Sequence, residues 1–218
     1  MNTLTQQISE TLLPGMYLPD PLKKLFDWIE HNKLYTDQAN GRTGFLFPED
    51  KLNESWTDEE REGGTLVYFY PEGNVNLKYW FGHEKPDVMN RLCVFAKTGG
   101  EGSQAALWLD DDGKQKIIHM GSGSGSVLCC VLAEDPIDFL RLLAIGYDEI
   151  CWNSEFSYPP NSDPDECHIK PNIEFQNWVQ KEFNTTIPQT ALEIVKHPDE
   201  MGDEKTKDEF NQWVNKIV

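Results

Sequence analysis

Carboxylates are the most abundant groups in this chain able to move a proton or bind a cation, and two placements stand out. Asp110-Asp111-Asp112 runs into Gly113, and Glu101 lies in the run Thr98-Gly-Gly-Glu-Gly-Ser103. Either could do acid–base work or ligate calcium. A calcium loop alternates oxygen ligands around a sharp glycine bend, and Asp110 to Gly113 is too short to supply them. The remaining reading is electrostatic: these carboxylates present a negative edge.

The nucleophile and metal inventories are thin. The histidines are His31, His83, His119, His168 and His197, and none has a serine or cysteine nearby in a nucleophile-like setting. Cys93, Cys129 and Cys130 lie in apolar strand patterns, where a thiol behaves as a small hydrophobe, so they are expected to be reduced core residues. Cys151, Cys167 and His168 can be assembled into a metal site only on paper, since no Cys-x-x-Cys or His-x-x-x-His spacing supports one. Gly121-Ser-Gly-Ser-Gly-Ser126 has the composition of a phosphate loop but leads into a strand, so the helix dipole and N–H nest are missing and it reads as a turn. No Gly-x-Ser-x-Gly elbow or Walker loop is present. The expectation is a chain with no catalytic residue, no metal and no cofactor.

Charge carries more information. Nineteen basic residues against 37 acidic ones give −18. Such a surface repels nucleic acid and anionic membrane and favours a basic protein partner with fast, steered association. No apolar run is long enough to span a bilayer, and the first eight residues have neither the basic nor the apolar segment of a secretory signal. A cytoplasmic protein is expected. Aromatic anchors would supply the binding energy that charges do not. Trp80, Trp108, Trp152 and Tyr158 are the candidates, with at most one or two of them at an interface. The expected contact set is Trp80, Glu101, Asp110, Asp111, Asp112 and Trp152.

The elements that position these residues centre on Arg91 to Ile150. Arg91–Lys97, Gln104–Leu109 and Gln115–His119 read as strands, the last two joined by an Asp-Gly hairpin turn. Val127–Leu132 is a continuous apolar run of strand length, which predicts a central strand buried on both faces. A helix closes the unit: Asp135 caps, Pro136 comes first, Phe139, Leu140 and Leu143 line one face, and Gly146 stops it.

Three pieces of this stretch together resemble the SUKH superfamily: Val94-Phe-Ala-Lys-Thr-Gly-Gly-Glu-Gly102 followed by Ala106-Leu-Trp-Leu109; His119-Met-Gly-Ser122; and Asp138-Phe-Leu-Arg-Leu-Leu-Ala-Ile-Gly146. That superfamily includes bacterial immunity proteins that neutralise polymorphic toxins, and relatives of a yeast cell-wall glucan-synthesis regulator. The chain departs from the family pattern in two places. Glu101 and Ser103 stand where an Asp often follows the glycines, and Gly-Ser-Gly-Ser replaces a Gly-Ser-Glu-Gly-like element. The resemblance implies one SUKH-like domain over residues 1–218, with its core at about 20–150 and residues 151–218 a C-terminal helical extension.

The flanks fit an α+β fold: a mainly antiparallel sheet of about five to six strands, helices packed on one face, and flanking N- and C-terminal helices. The first nineteen residues read as an arm or short helix. Asp20 is expected to cap a helix with Pro21 first and Leu22, Leu25, Phe26 and Ile29 inward. Residues 36–64 read as a polar connection, whose Glu49–Glu62 part holds seven acidic and two basic residues. Thr65–Tyr70 and Val75–Trp80 are predicted to form a hairpin across Pro71–Asn74. Asn161–Glu166 reads as an acidic loop. Asn172 is expected to cap a helix carrying Phe175, Trp178 and Val179, and a last helix to start near Asp203 with Phe210, Trp213, Val214 and Ile217 inward.

Three functions follow as expectations: a non-enzymatic immunity protein that occludes a basic, nuclease-type toxin; a regulatory or scaffold protein of the cell-wall-regulator type; and a carboxylate-dependent hydrolase.

Overall fold

The computed structural model describes residues 2–48, 60–64, 66–163, 165 and 168–217. The fold is α+β. Among the described residues, seven strands form one antiparallel sheet in the order β1-β2-β4-β5-β6-β7-β8. They are β1 (Tyr35–Gln38), β2 (Gly41–Phe45), β4 (Tyr68–Gly73), β5 (Leu92–Lys97), β6 (Gln104–Leu109), β7 (Gln115–Met120) and β8 (Cys129–Ala133). Strand β3 (Glu60–Glu62) leaves this sheet to pair in parallel with β9 (His168–Lys170).

Helices pack on both faces of the sheet along β5 to β8, which corrects the expectation of helices on one face. Along β5 to β7, Cys93, Phe95, Leu107 and Ile117 enter one apolar cluster, while Leu92, Val94, Ala106, Trp108, Ile118 and Met120 enter another. The first cluster is closed by α1 (Thr3–Glu10), α2 (Asp20–His31), α5 (Pro136–Ile145) and α6 (Ile173–Phe183). The second is closed by α3 (Leu77–Phe81), α4 (Pro86–Met89) and α7 (Glu209–Asn215). Burial on two faces explains the unbroken apolar run Leu92–Ala96.

The hairpin expected over residues 65–80 does not form. Strand β4 runs through Pro71 to Gly73, and Leu77–Phe81 is helical. Thr65, where the first strand was expected to start, lies outside the described residues. Leu77 and Phe81, one helical turn apart, are the buried pair, whereas Val75 and Tyr79 are 65% and 77% exposed. Gly82 in the left-handed region (φ +69°) then stops the helix.

The connection expected over 36–64 holds a hairpin, β1–β2, with Gly41 packed against the Pro71 ring. The acidic segment from Glu49 lies outside the described residues as far as residue 59.

The apolar run Val127–Leu132 forms the last strand in the order, not a central one. Leu128, Cys129, Cys130 and Leu132 are buried, and another segment closes the strand's free edge. Cys129 N–H donates to the Asp199 carbonyl at 2.9 Å, Met201 N–H donates to the Val127 carbonyl at 2.8 Å, and Val131 N–H donates to the Asp208 carboxylate at 2.9 Å. Edge coverage of this kind satisfies the backbone groups that a central strand would give to a neighbour.

Helix boundaries follow cap chemistry. Asp135 accepts from the Ile137 amide, Gly146 (φ +99°) terminates α5, and Asn172 accepts from the Phe175 amide at 3.0 Å. Two starts move. Asp20 is the first helical residue of α2, with Pro19 in the cap position, because Pro21 suits the second position equally well. The last helix begins at Glu209, where the Asp208 carboxylate accepts from the Asn211 amide at 2.9 Å. Among the described residues no helix is long and apolar enough to cross a membrane.

Candidate partner-binding surface

Strand β6 separates the six contact candidates into two groups. Glu101 precedes it and Asp110–Asp112 follow it, and six extended residues span about 17 Å between their first and last Cα atoms.

At the hairpin tip, two of the three aspartates are engaged. The Asp110 side chain is only 9% exposed. It accepts from the Asp112 amide (2.9 Å) and the Lys114 amide (2.8 Å), and pairs with Lys116 at 3.3 Å. Burial opposes its ionisation, but the Lys114 amide and the Lys116 ammonium outweigh that and hold the carboxyl below its usual range. Asp111, 73% exposed, pairs with Arg91 at 2.7 Å. Arg91 also donates to the Leu109 carbonyl and sits 5.2 Å from the Trp213 ring centre. Asp112 is exposed. The tip is therefore largely a fastened turn, with Arg91 and Lys116 offsetting much of its charge.

The opposite end of the sheet gathers Trp80, Glu101 and Trp152. The Trp80 indole N–H donates to the Gly121 carbonyl at 2.7 Å. Glu101 folds back on its own loop, accepting from the Ser103 amide at 2.9 Å and from the Ser103 hydroxyl. The Ser103 hydroxyl oxygen in turn accepts from the Ser122 amide at 3.2 Å, tying the two glycine-rich loops together. Trp152 donates its indole N–H to Glu149 at 2.8 Å, and Glu149 also accepts from the Gly100 amide (3.1 Å) and the Cys151 thiol (3.0 Å).

Glu101 and Glu149 reach the same point. A Cβ on Gly99 would lie 2.9 Å from a Glu101 carboxylate oxygen, 3.2 Å from one of Glu149 and 2.5 Å from the Cys151 sulfur. Only glycine leaves room for this convergence. Burial pushes the Cys151 thiol up, and the negative field of Glu149, Glu101 and Glu155 pushes it further, so it is a neutral donor. Glu149 escaped sequence reading because no motif marks it: Cys151 and Trp152 are local partners, but its place beside Gly99 depends on the remote loop that carries Gly100.

Behind this end lies His119, fully buried. Its Nδ1 faces the Leu128 carbonyl at 2.9 Å, which can only accept, so Nδ1 carries the hydrogen. Nε2 therefore accepts from the Thr98 hydroxyl at 2.9 Å. Burial pushes this imidazole down to about 4, which keeps it neutral. Cys93, Cys129, Cys130 and Cys151 are buried free thiols. Cys167 lies outside the described residues, and among those described no group of three His, Cys, Asp or Glu is placed to hold a metal.

Beside the Glu101 loop, one sheet face carries an open cleft of about 500 Å³. The strand register places Phe45 opposite Tyr68, Tyr68 opposite Lys97, and Lys97 opposite Gln104, so the four side chains form a row across β2, β4, β5 and β6. Tyr70 adds a third ring 5.6 Å from Tyr68, and its hydroxyl accepts from the Gln104 amide at 3.1 Å. Burial, then the nearby Glu72, pushes the Tyr70 hydroxyl upward, so it stays protonated. The cluster under α3, α4 and α7 takes no residue from β1 or β2. The sheet was expected to carry its function in loop carboxylates and tryptophans, and this row was missed because Phe45, Tyr68 and Lys97 become neighbours only through strand register.

Compared with known proteins, the chain matches no family model, no curated protein and no solved structure.

Proposed function

We propose that this chain is a non-enzymatic binding protein of the kind its SUKH resemblance implies: an immunity protein that covers a basic, nuclease-type toxin with an acidic face. The observation that carries the reading is the convergence of Glu101 and Glu149 beside Gly99. Each carboxylate is held by donors from its own chain. Charges fixed in this way need little reorganisation when a cation approaches, which favours rapid and selective association. The half-buried Trp80 and Trp152 border the same loops, each with its indole N–H already satisfied and part of its ring exposed, although Trp80 also packs edge-on against Phe81. The net charge of −18 supplies the long-range attraction. This reading moves the contact edge from the Asp110–Asp112 tip to the glycine-loop end.

The test is co-expression with the product of the adjacent reading frame. A stable complex and rescue of cells expressing that neighbour are expected. The double variant Glu101→Gln, Glu149→Gln should slow association by about three- to tenfold at low salt, with the effect fading as salt rises. No complex and no rescue would overturn the proposal.

A further inference from the structure

The cleft on the open sheet face has a chemistry unlike the rest of the chain. The protein carries −18, yet among the described residues none of those lining the cleft is acidic, and Lys97 is the one cation among them. The Lys97 ammonium lies 5.6 Å from the centre of the Tyr68 ring. The rings of Phe45, Tyr68 and Tyr70 line the floor with neighbouring centres 6.1 Å and 5.6 Å apart and planes tilted by 54° and 47°, so a planar guest can meet one ring by its face and the next by its edge. Gln104 and Thr43 add hydrogen-bonding groups at the margin.

We propose that this cleft is a binding site for a flat aromatic ring carrying a carboxylate. Three features select that class. The rings offer stacking partners to a planar guest, with the edge and face preferences that aromatic pairs show. Lys97 offers a point charge to a carboxylate while its ammonium remains near the Tyr68 face, and that same charge works against a cationic guest. The volume of about 500 Å³ fits a guest of one or two fused rings. The floor is set by ladder pairing of four neighbouring strands, so the site is formed before the guest arrives. The proposal is independent of partner binding at the acidic loops. It needs no contact from Glu101, whose carboxylate is turned back onto Ser103.

The experiment is a titration of the ¹⁵N-labelled full chain with 2-naphthoate, and in parallel with the neutral 2-naphthamide, followed by amide chemical shifts. A guest of this size is expected to bind with a dissociation constant of about 1 mM. Naphthoate should shift the amides of Tyr68, Lys97 and Gln104 and bind about three- to fivefold more tightly than the amide probe, the range a partly exposed ion pair allows. Lys97→Met should erase that preference while leaving the weaker binding of both probes, and Lys97→Gln repeats the test should the first variant fold poorly. The proposal is overturned if naphthoate moves no cleft amide at about 5 mM. It is equally overturned if both probes bind the parent chain alike, or if the preference for naphthoate survives in the folded Lys97 variants.

Discussion

Glu101 and Glu149 aim their carboxylates at one point beside Gly99, although one follows β5 and the other follows α5. The two loops are drawn together by the Ile150 amide donating to the Thr98 carbonyl at 3.1 Å and the Gly100 amide donating to Glu149. The Ser103 amide and hydroxyl hold Glu101, while the Gly100 amide, the Trp152 indole and the Cys151 thiol hold Glu149.

Gly99→Ala should therefore be poorly tolerated. Its Cβ would sit 2.5 Å from the Cys151 sulfur, so a buried side chain and the loop must move. A loss of about 1–3 kcal/mol is expected from urea unfolding. A Cβ at Gly113 meets nothing within 4 Å, so Gly113→Ala should cost only its strained positive φ, about 1 kcal/mol.

The three aspartates of the hairpin tip should behave unequally. Asp110 closes the turn and anchors Lys116, so Asp110→Ala is expected to cost about 1–2 kcal/mol. Asp112→Ala should stay within about 0.5 kcal/mol. Equal costs in chemical denaturation would show that Asp110 does not fasten the turn.

Acid stability should reveal two opposed groups. Burial lifts Asp208 to about 6 from an ordinary 3.8. Between those values the folded chain holds a proton that the unfolded chain releases, so this group makes stability fall as pH rises from about 4 to about 6, by up to about 1.4 kcal/mol per pH unit. His119 acts the other way. Its ordinary value of 6.5 drops to about 4 when buried. Below about 6.5 the unfolded chain gains a proton that the folded chain refuses, so stability falls as pH falls. Subtracting the profile of Asp208→Asn from the parent's should leave a negative slope over pH 4–6, and subtracting that of His119→Gln should leave a positive one. Matching slopes of either sign would refute the assignments.

The helical assignment of Leu77–Phe81 and the second apolar layer can be separated by truncation. Phe210 is fully buried and packs 5.2 Å from Trp108 on the second face of the sheet, so Phe210→Ala should cost about 3–5 kcal/mol. Tyr79→Ala should be near neutral, within about 0.5 kcal/mol, and Leu77→Ala should cost about 2–5 kcal/mol. A strand at 75–80 would reverse nothing at Phe210, but it would place Leu77 and Tyr79 on one face and make their costs alike.

Local chemistry alone settled much of this chain. The Asp-Gly hairpin at 110–113, the Asp135–Pro136 start and Gly146 stop of α5, the Asn172 cap, and the inward stripe Leu22, Leu25, Phe26 and Ile29 are all decided by residues within a few positions of one another. Tertiary structure decided what depends on distant neighbours. The run Val127–Leu132 is largely buried although it lies at an edge, where residues 199–208 close over it, and apolar periodicity cannot distinguish that from a central strand. Residues 75–81 alternate well enough for a strand, but the second sheet face needs Leu77 and Phe81 on one side, and packing overrode the local pattern. The same holds for function. Each glutamate and aromatic could be seen in the sequence, but the meeting of Glu101 with Glu149, and of Tyr68 with Lys97, exists only where loop closure and strand register bring remote residues into one field.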